Sequence, residues 1–118
     1  MLVKIKKKPR IFNVGKKKEI KIKDMGSVSL RSNEQLTFMH NKNEYDITKK
    51  NWGFYATPSV NDRLKKNNFH TALVKNIHNQ YYVMIIDKEK IREFKKYLKS
   101  EKNKIVKWLS KIKLKKKK

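Results

Sequence analysis

Three aromatics within four residues, Trp52, Phe54 and Tyr55, sit in a stretch that has no lysine between Asn51 and Leu64. Rings of this kind stack on nucleic-acid bases when lysines nearby track the phosphates. Lys65 and Lys66 follow directly, with Arg63 before them, and the chain ends in a run that includes Lys111, Lys113, Lys115 and Lys116. Together with Trp52 and Tyr55, these basic residues form the candidate nucleic-acid-binding set. The competing use of the rings is core packing, since a short chain needs its aromatics inside. That use suits Phe54 and Trp108 best. A second chemistry is available in the segment from Thr57 to Arg63. If a helix begins near residue 60, its free amides, with Thr57, Ser59, Asn61 and Arg63, would suit a phosphorylated small ligand such as a nucleotide sugar. The plainer alternative is an ordinary helix cap.

Other chemistries have little to work with. The chain contains no cysteine, which excludes disulfides and thiolate metal ligands. His40, His70 and His78 are scattered, and no pair of His, Asp or Glu residues has a strong metal-ligand spacing. Glycine occurs only at positions 15, 26 and 53, so neither a Walker loop nor a dinucleotide fingerprint is present. No catalytic residue, metal or cofactor is assigned, and the reading leans away from an enzyme.

The elements that position these residues follow from periodicity and turn chemistry. Residues 1–9 read as a basic arm ending at Pro9, in which Leu2, Val3 and Ile5 could add an edge strand. Residues 10–14, 18–23, 27–30 and 36–39 alternate like short antiparallel strands, with turns at Gly15, Met25-Gly26 and Arg31–Glu34. Tyr45 and Ile47 mark another short segment. Pro58 holds Thr57 extended, and a short helix over residues 60–66 follows, with Ser59 or Asn61 as its cap. Residues 69–75 form a strand. Tyr81–Ile86 is continuous, β-branched and aromatic, which predicts a central strand. Asp87 caps a helix over 88–101, whose Ile91, Phe94 and Leu98 face a sheet, and residues 104–109 return as a strand running parallel to 81–86. From Ser110 the chain reads as tail.

This order predicts an α+β fold: a mostly antiparallel sheet of short strands with one short and one longer helix, and basic tails at both ends. The single domain spans residues 10–110, between the arm and the lysine-rich tail 111–118. The longest apolar run, Tyr81–Ile86, is far too short for a membrane span. With no secretory pattern at its start, the chain is expected in the cytoplasm.

The run Trp52-Gly-Phe-Tyr-Ala-Thr-Pro-Ser59, followed by Arg63-Leu64, Ala72-Leu-Val-Lys75, Tyr81-Tyr-Val-Met84 and Val106-Lys-Trp-Leu109, resembles a small bacterial family whose members have no established activity. The resemblance covers about residues 10–110. It implies a compact domain, with the lysine tails as additions, and it implies no function.

Charge then indicates the partner. Of the chain's 118 residues, 33 are basic and 10 acidic, for a net charge of +23. Residues 1–23 hold ten basic and one acidic residue, residues 24–87 eight and six, and residues 88–118 fifteen and three. A nearly neutral middle is therefore flanked by two basic ends that attract polyanions. Lysine, asparagine and isoleucine all have A/T-rich codons, so base composition and selection are both open as sources of the lysine excess. Lysine outnumbers arginine 29 to 4, and it supplies point charge rather than the bidentate fork that reads bases. The expected function is a non-enzymatic basic module that binds nucleic acid, RNA ahead of DNA, or a ribonucleoprotein, mainly through phosphates. An anionic membrane surface held by the tails is a further alternative.

Overall fold

The computed structural model describes residues 1–59 and 68–110. Strands account for 59% of the described residues, in three small antiparallel sheets, and the helical content is one short segment of 14 residues. This overturns the α+β expectation of one sheet carrying a short and a longer helix. The helix forecast after Pro58 falls on residues outside the described ones.

The first sheet is a long hairpin, β1 (Leu2–Val14) against β2 (Ile20–Ser29). The segment read as an arm is thus part of a strand, which is the edge-strand alternative. The ladder accommodates Pro9 because the register slips between Ile5 and Arg10, so residues 6–9 bulge opposite Met25. Met25-Gly26 is not a turn. Gly26 has φ +145° inside β2, and a Cβ there would lie 2.0 Å from the Lys4 carbonyl oxygen, so only glycine lets the strands close.

The second sheet is a meander of β3 (Gln35–His40), β4 (Asn43–Lys50) and β5 (Gly53–Ala56), in the order β3-β4-β5. One face pairs Leu36 with Ile47 and Phe38 with Tyr45. The other is mostly polar, with Gln35 and Thr37 exposed on β3 and Asp46 and Thr48 buried on β4. There the Thr37 hydroxyl donates to Asp46 at 2.7 Å, and Thr48 bonds to Gln35 and to the Thr57 hydroxyl. Asp46 and Thr48 are buried, as hydrogen-bonded polar groups can be.

The third sheet holds the core. β6 (Phe69–Lys75) lies between β7 (Tyr81–Asp87) and β8 (Lys104–Trp108), with both neighbours antiparallel to it. The central strand is therefore β6, and β7 is an edge. β8 does run in the same direction as β7, as expected, but with β6 between them. The edge position explains why Tyr81, Tyr82 and Val83 are exposed while Ile86 is buried. Ala72 and Val74 are fully buried and form one cluster with Ile86 and Leu98; Met84, Ile91, Phe94, Ile105 and Trp108 pack around it.

Leu98 is delivered by the helical segment. The Asp87 carboxylate accepts the Glu89 amide at 2.9 Å and opens a single 3-10 turn, Lys88–Lys90, which leads into α1 (Ile91–Glu101). Lys102, in the left-handed region at φ 58°, closes α1, and the Asn103 amide donates back to Leu98 at 2.8 Å. Ile91, Phe94 and Leu98 recur at helical spacing and meet the sheet as the periodicity predicts.

Ser110 belongs to the fold rather than to a tail. It is 1% exposed, and its hydroxyl accepts the Thr71 amide at 3.1 Å while lying 3.0 Å from His70 Nδ1. The Ser110 hydroxyl thereby joins the Thr71 amide and the His70 ring in one buried hydrogen-bonded group.

The three sheets meet at few points. Phe69, 4% exposed, joins the second to the third: its ring lies 6.2 Å from that of His40 and 6.3 Å from that of Tyr45. His40 Nε2 also reaches Asp87 at 3.3 Å. The hairpin is tied at its turn, where the Lys16 amide donates to the Glu101 carboxylate, and at its base, where the Met1 amino group lies 3.6 Å from Glu34.

The two faces of β7 should respond differently to truncation. Ile86→Ala should cost about 2–5 kcal/mol, whereas Val83→Ala should stay within about 0.5 kcal/mol. Thermal denaturation of the two variants checks this; equal losses would place Val83 in the core.

Candidate nucleic-acid interface

The aromatic stretch is not the structural centre that its composition suggests. It forms a tight hairpin that projects into solvent. Lys50 pairs with Gly53 and Lys49 with Phe54, so Asn51 and Trp52 form a two-residue turn. Gly53 follows at φ +145°, a conformation side chains resist.

Trp52 is 69% exposed and Phe54 61%, so neither ring serves the core, and Phe54 departs from the packing role expected of it. Trp52 and Tyr55 stack with centroids 6.1 Å apart and planes 25° apart. Strand alternation puts Phe54 on the opposite side, where the Lys49 ammonium lies 5.9 Å from its ring. Lys49 Nζ also donates to the Lys50 carbonyl at 2.7 Å, and Lys50 Nζ to the Asn33 side chain. The loop before β3 buttresses the tip through Asn33 N–H to Lys49 O at 2.7 Å and Lys49 N–H to Glu34 O at 2.9 Å. One of its hydrogen bonds, from the Arg31 amide, is the main cause of a Glu34 carboxyl held below the usual carboxylate range. The result is a hydrogen-bonded tip with rings on both sides and two ammonium groups at its base.

Trp52 and Tyr55 are thus brought together, and Lys49, Lys50 and Phe54 join them. The sequence reading assigned Phe54 to the core and missed Lys49 and Lys50, because only the hairpin register sets Lys49 beside Phe54. The one available signal was the basic pair before Asn51-Trp52-Gly53, which marks a turn flanked by cations. Arg63, Lys65, Lys66, Lys111, Lys113, Lys115 and Lys116 lie outside the described residues. Of the alternative phosphate set, Asn61 and Arg63 do too. Thr57 donates its amide to Asp46 at 3.0 Å and shares its hydroxyl with Thr48; Pro58 is buried and Ser59 exposed.

Two clefts lie away from the tip. One, of about 560 Å³, opens between the second sheet and α1, with Phe38, Tyr45, Phe69, Phe94 and Tyr97 on its walls and His40 and Asp87 at one side. Desolvation here pushes the Tyr45 phenol above its usual range. The other, of about 520 Å³, lies under the turn of the first hairpin, between Val14, Tyr82, Met84 and Glu101. Among the described residues, Ser110 Oγ lies 3.0 Å from His70 Nδ1, and both side chains are buried. Among the described residues no three His, Cys, Asp or Glu side chains are placed to hold a metal, and no helix is long and apolar enough to cross a membrane.

Comparison of the chain with protein-family models, with curated proteins and with solved structures finds no match.

Two outcomes follow from this geometry. In variants that retain one indole each, Trp52 (Trp108→Phe) should be quenched by acrylamide far more readily than the half-buried Trp108 (Trp52→Phe). Equal quenching would mean that the tip packs on something. The raised phenol favours the neutral ring in the fold. Its contribution to stability is complete below the unfolded pKa of about 10 and is lost as pH rises through the higher folded value. Tyr45→Phe should therefore flatten the alkaline limb of a stability–pH curve, and an unchanged limb would remove Tyr45 from that role.

Proposed function

We propose that the protein is a non-enzymatic basic module that binds nucleic acid, RNA ahead of DNA, or a ribonucleoprotein, with phosphate contacts supplying most of the affinity. The observation that carries this reading is the exposed Trp52–Tyr55 stack on a turn based on Lys49 and Lys50. A chain with few buried apolar residues leaves its most exposed indole at a hairpin tip, beside cations. Such a ring offers a sequence-tolerant platform for an unpaired base, while lysines hold the flanking phosphates. Unpaired bases are more common in RNA than in duplex DNA, and an aromatic tip cannot reach a base inside a stacked duplex. The net charge of +23 adds long-range attraction that is independent of sequence. A phosphorylated metabolite at Thr57, Ser59, Asn61 and Arg63 is less favoured, since the Thr57 hydroxyl is already bonded to Thr48.

Titration of a labelled single-stranded RNA at several salt concentrations tests the reading. Trp52→Ala and Tyr55→Ala should each weaken binding by about 1–3 kcal/mol with the salt slope unchanged. Lys49→Gln and Lys50→Gln should each lower the log–log slope by roughly 0.7, and deletion of residues 111–118, with six lysines, should lower it by several units. Absence of binding at low salt would sink the proposal. Binding that ignores the rings would reduce it to lysine attraction alone.

A further inference from the structure

The first hairpin exposes more apolar surface than an isolated two-stranded sheet can sustain. Residues opposite one another in an antiparallel ladder share a face, and alternate residues along a strand return to it. The register therefore gathers Val3, Val28, Ile5, Arg10, Asp24, Phe12 and Ile22 on one face. The cation–π contact of Arg10 with Phe12, at 5.3 Å, agrees with that placement. Lys4, Lys21 and Lys23 fall on the other face, with Ser27 and Ser29. Leu2, Ile11 and Met25 also fall on that second face, so the first face is the more apolar of the two and the second mixes apolar side chains with lysines. On the apolar face Val3 is 47% exposed, Ile5 74%, and Phe12, Ile22 and Val28 40% each.

The cross-strand pairs of this face are self-complementary. Val3, Val28 and Ile5 lie to one side of the Arg10–Asp24 rung, and Phe12 and Ile22 to the other. Asp24 holds Lys6 at 2.9 Å and Arg10 at 3.4 Å, and the Lys6 hydrogen bond is the main reason its carboxyl is held below the usual range. A two-fold axis parallel to the strands and midway between them would lay Phe12 of one copy over Ile22 of another, and Val3 over Val28. It would also bring Asp24 of each copy to Arg10 of the other. The lysines of the second face would point outward, away from the contact.

We infer that the apolar face of the β1–β2 hairpin is an isologous interface with a second copy of this chain, closed by reciprocal Arg10–Asp24 pairs across a two-fold axis. A two-sheet stack is the ordinary way to cover such a face, and an isologous contact closes at two copies. A bilayer fits less well, because the Lys6–Asp24–Arg10 group sits in the middle of the apolar stripe, where a membrane would have to bury it, rather than at its rim. Nucleic acid fits the opposite, lysine-bearing face. The resulting dimer would present two such lysine-bearing faces and two aromatic tips.

Sedimentation equilibrium on nuclease-treated full-length protein, in salt high enough to screen lysine repulsion, tests the interface. The wild type should show a reversible monomer–dimer equilibrium. Ile5→Glu, at a position too exposed to matter for the monomer fold, should raise the dissociation constant at least tenfold. Arg10→Glu and Asp24→Lys should each lose self-association, because like charges then meet across the axis. Mixed together, the two variants should form a heterodimer. The carboxylate introduced in one copy then meets the ammonium introduced in the other, and the native Asp24 of the first meets the native Arg10 of the second. A wild type that stays monomeric at the highest soluble concentration overturns the inference. So does a dimer indifferent to Ile5→Glu, an open-ended series of oligomers, or a monomer that is captured only by anionic phosphatidylserine vesicles. A mixture of the two charge variants that stays monomeric while the wild type dimerises overturns the reciprocal pairing.

Discussion

Leu98 of α1 meets Ala72 and Val74 of β6 and Ile86 of β7, and that contact is the cluster of buried apolar side chains among the described residues. The rest of the chain depends on it. The meander reaches it through Phe69, whose ring touches His40 and Tyr45 and whose strand leads directly into Ala72 and Val74. The C-terminal strand is locked to it by the Ser110 hydroxyl between His70 and Thr71. The long hairpin is joined to the body only lightly, at Lys16 and Glu101 and at Met1 and Glu34. A small core under one sheet can cover one sheet. The other two leave apolar and basic surface open, and that open surface is the raw material of function.

The parts of the fold legible in the sequence are those this core dictates. Residues 69–75, 81–86 and 88–101 carry dense apolar patterns with a cap at Asp87, and they form the strands and helix those patterns predict. The apolar run at 81–86 nevertheless points to the wrong strand as central. Continuous hydrophobicity does not distinguish a strand covered on both sides from an edge that leaves Tyr81, Tyr82 and Val83 exposed. The fold class failed for a related reason. The lysine-rich alternation before residue 57 is consistent with one sheet or several, and only long-range pairing decides between them. That pairing carried β1 through Pro9 by a bulge and kept Gly26 inside β2, where local turn chemistry argues for a break.

The candidate site was legible in part. Three rings in four residues stand out in any reading, and Trp52 and Tyr55 do come together. What composition could not show was that the stretch is a solvent-facing tip. It also could not show that Phe54 faces Lys49 instead of the core, because strand register alone assigns those sides. Ser110 was invisible for a similar reason: a serine at the edge of a lysine run acquires its role only when β8 places it over Thr71.

Charge and exposed rings therefore belong to one account. In the proposed function the lysines attract a polyanion from a distance, and the tip supplies the short-range contact that plain charge lacks. Ultraviolet crosslinking in fresh lysate of native cells, followed by mass spectrometry of nucleotide-bearing peptides, tests that claim most directly. The account predicts nucleotide adducts on the peptide that contains Trp52, Phe54 and Tyr55, and their loss when the lysate is treated with nuclease before irradiation. Recovery of the protein with partners that resist nuclease, and with no nucleotide on that peptide, would contradict it.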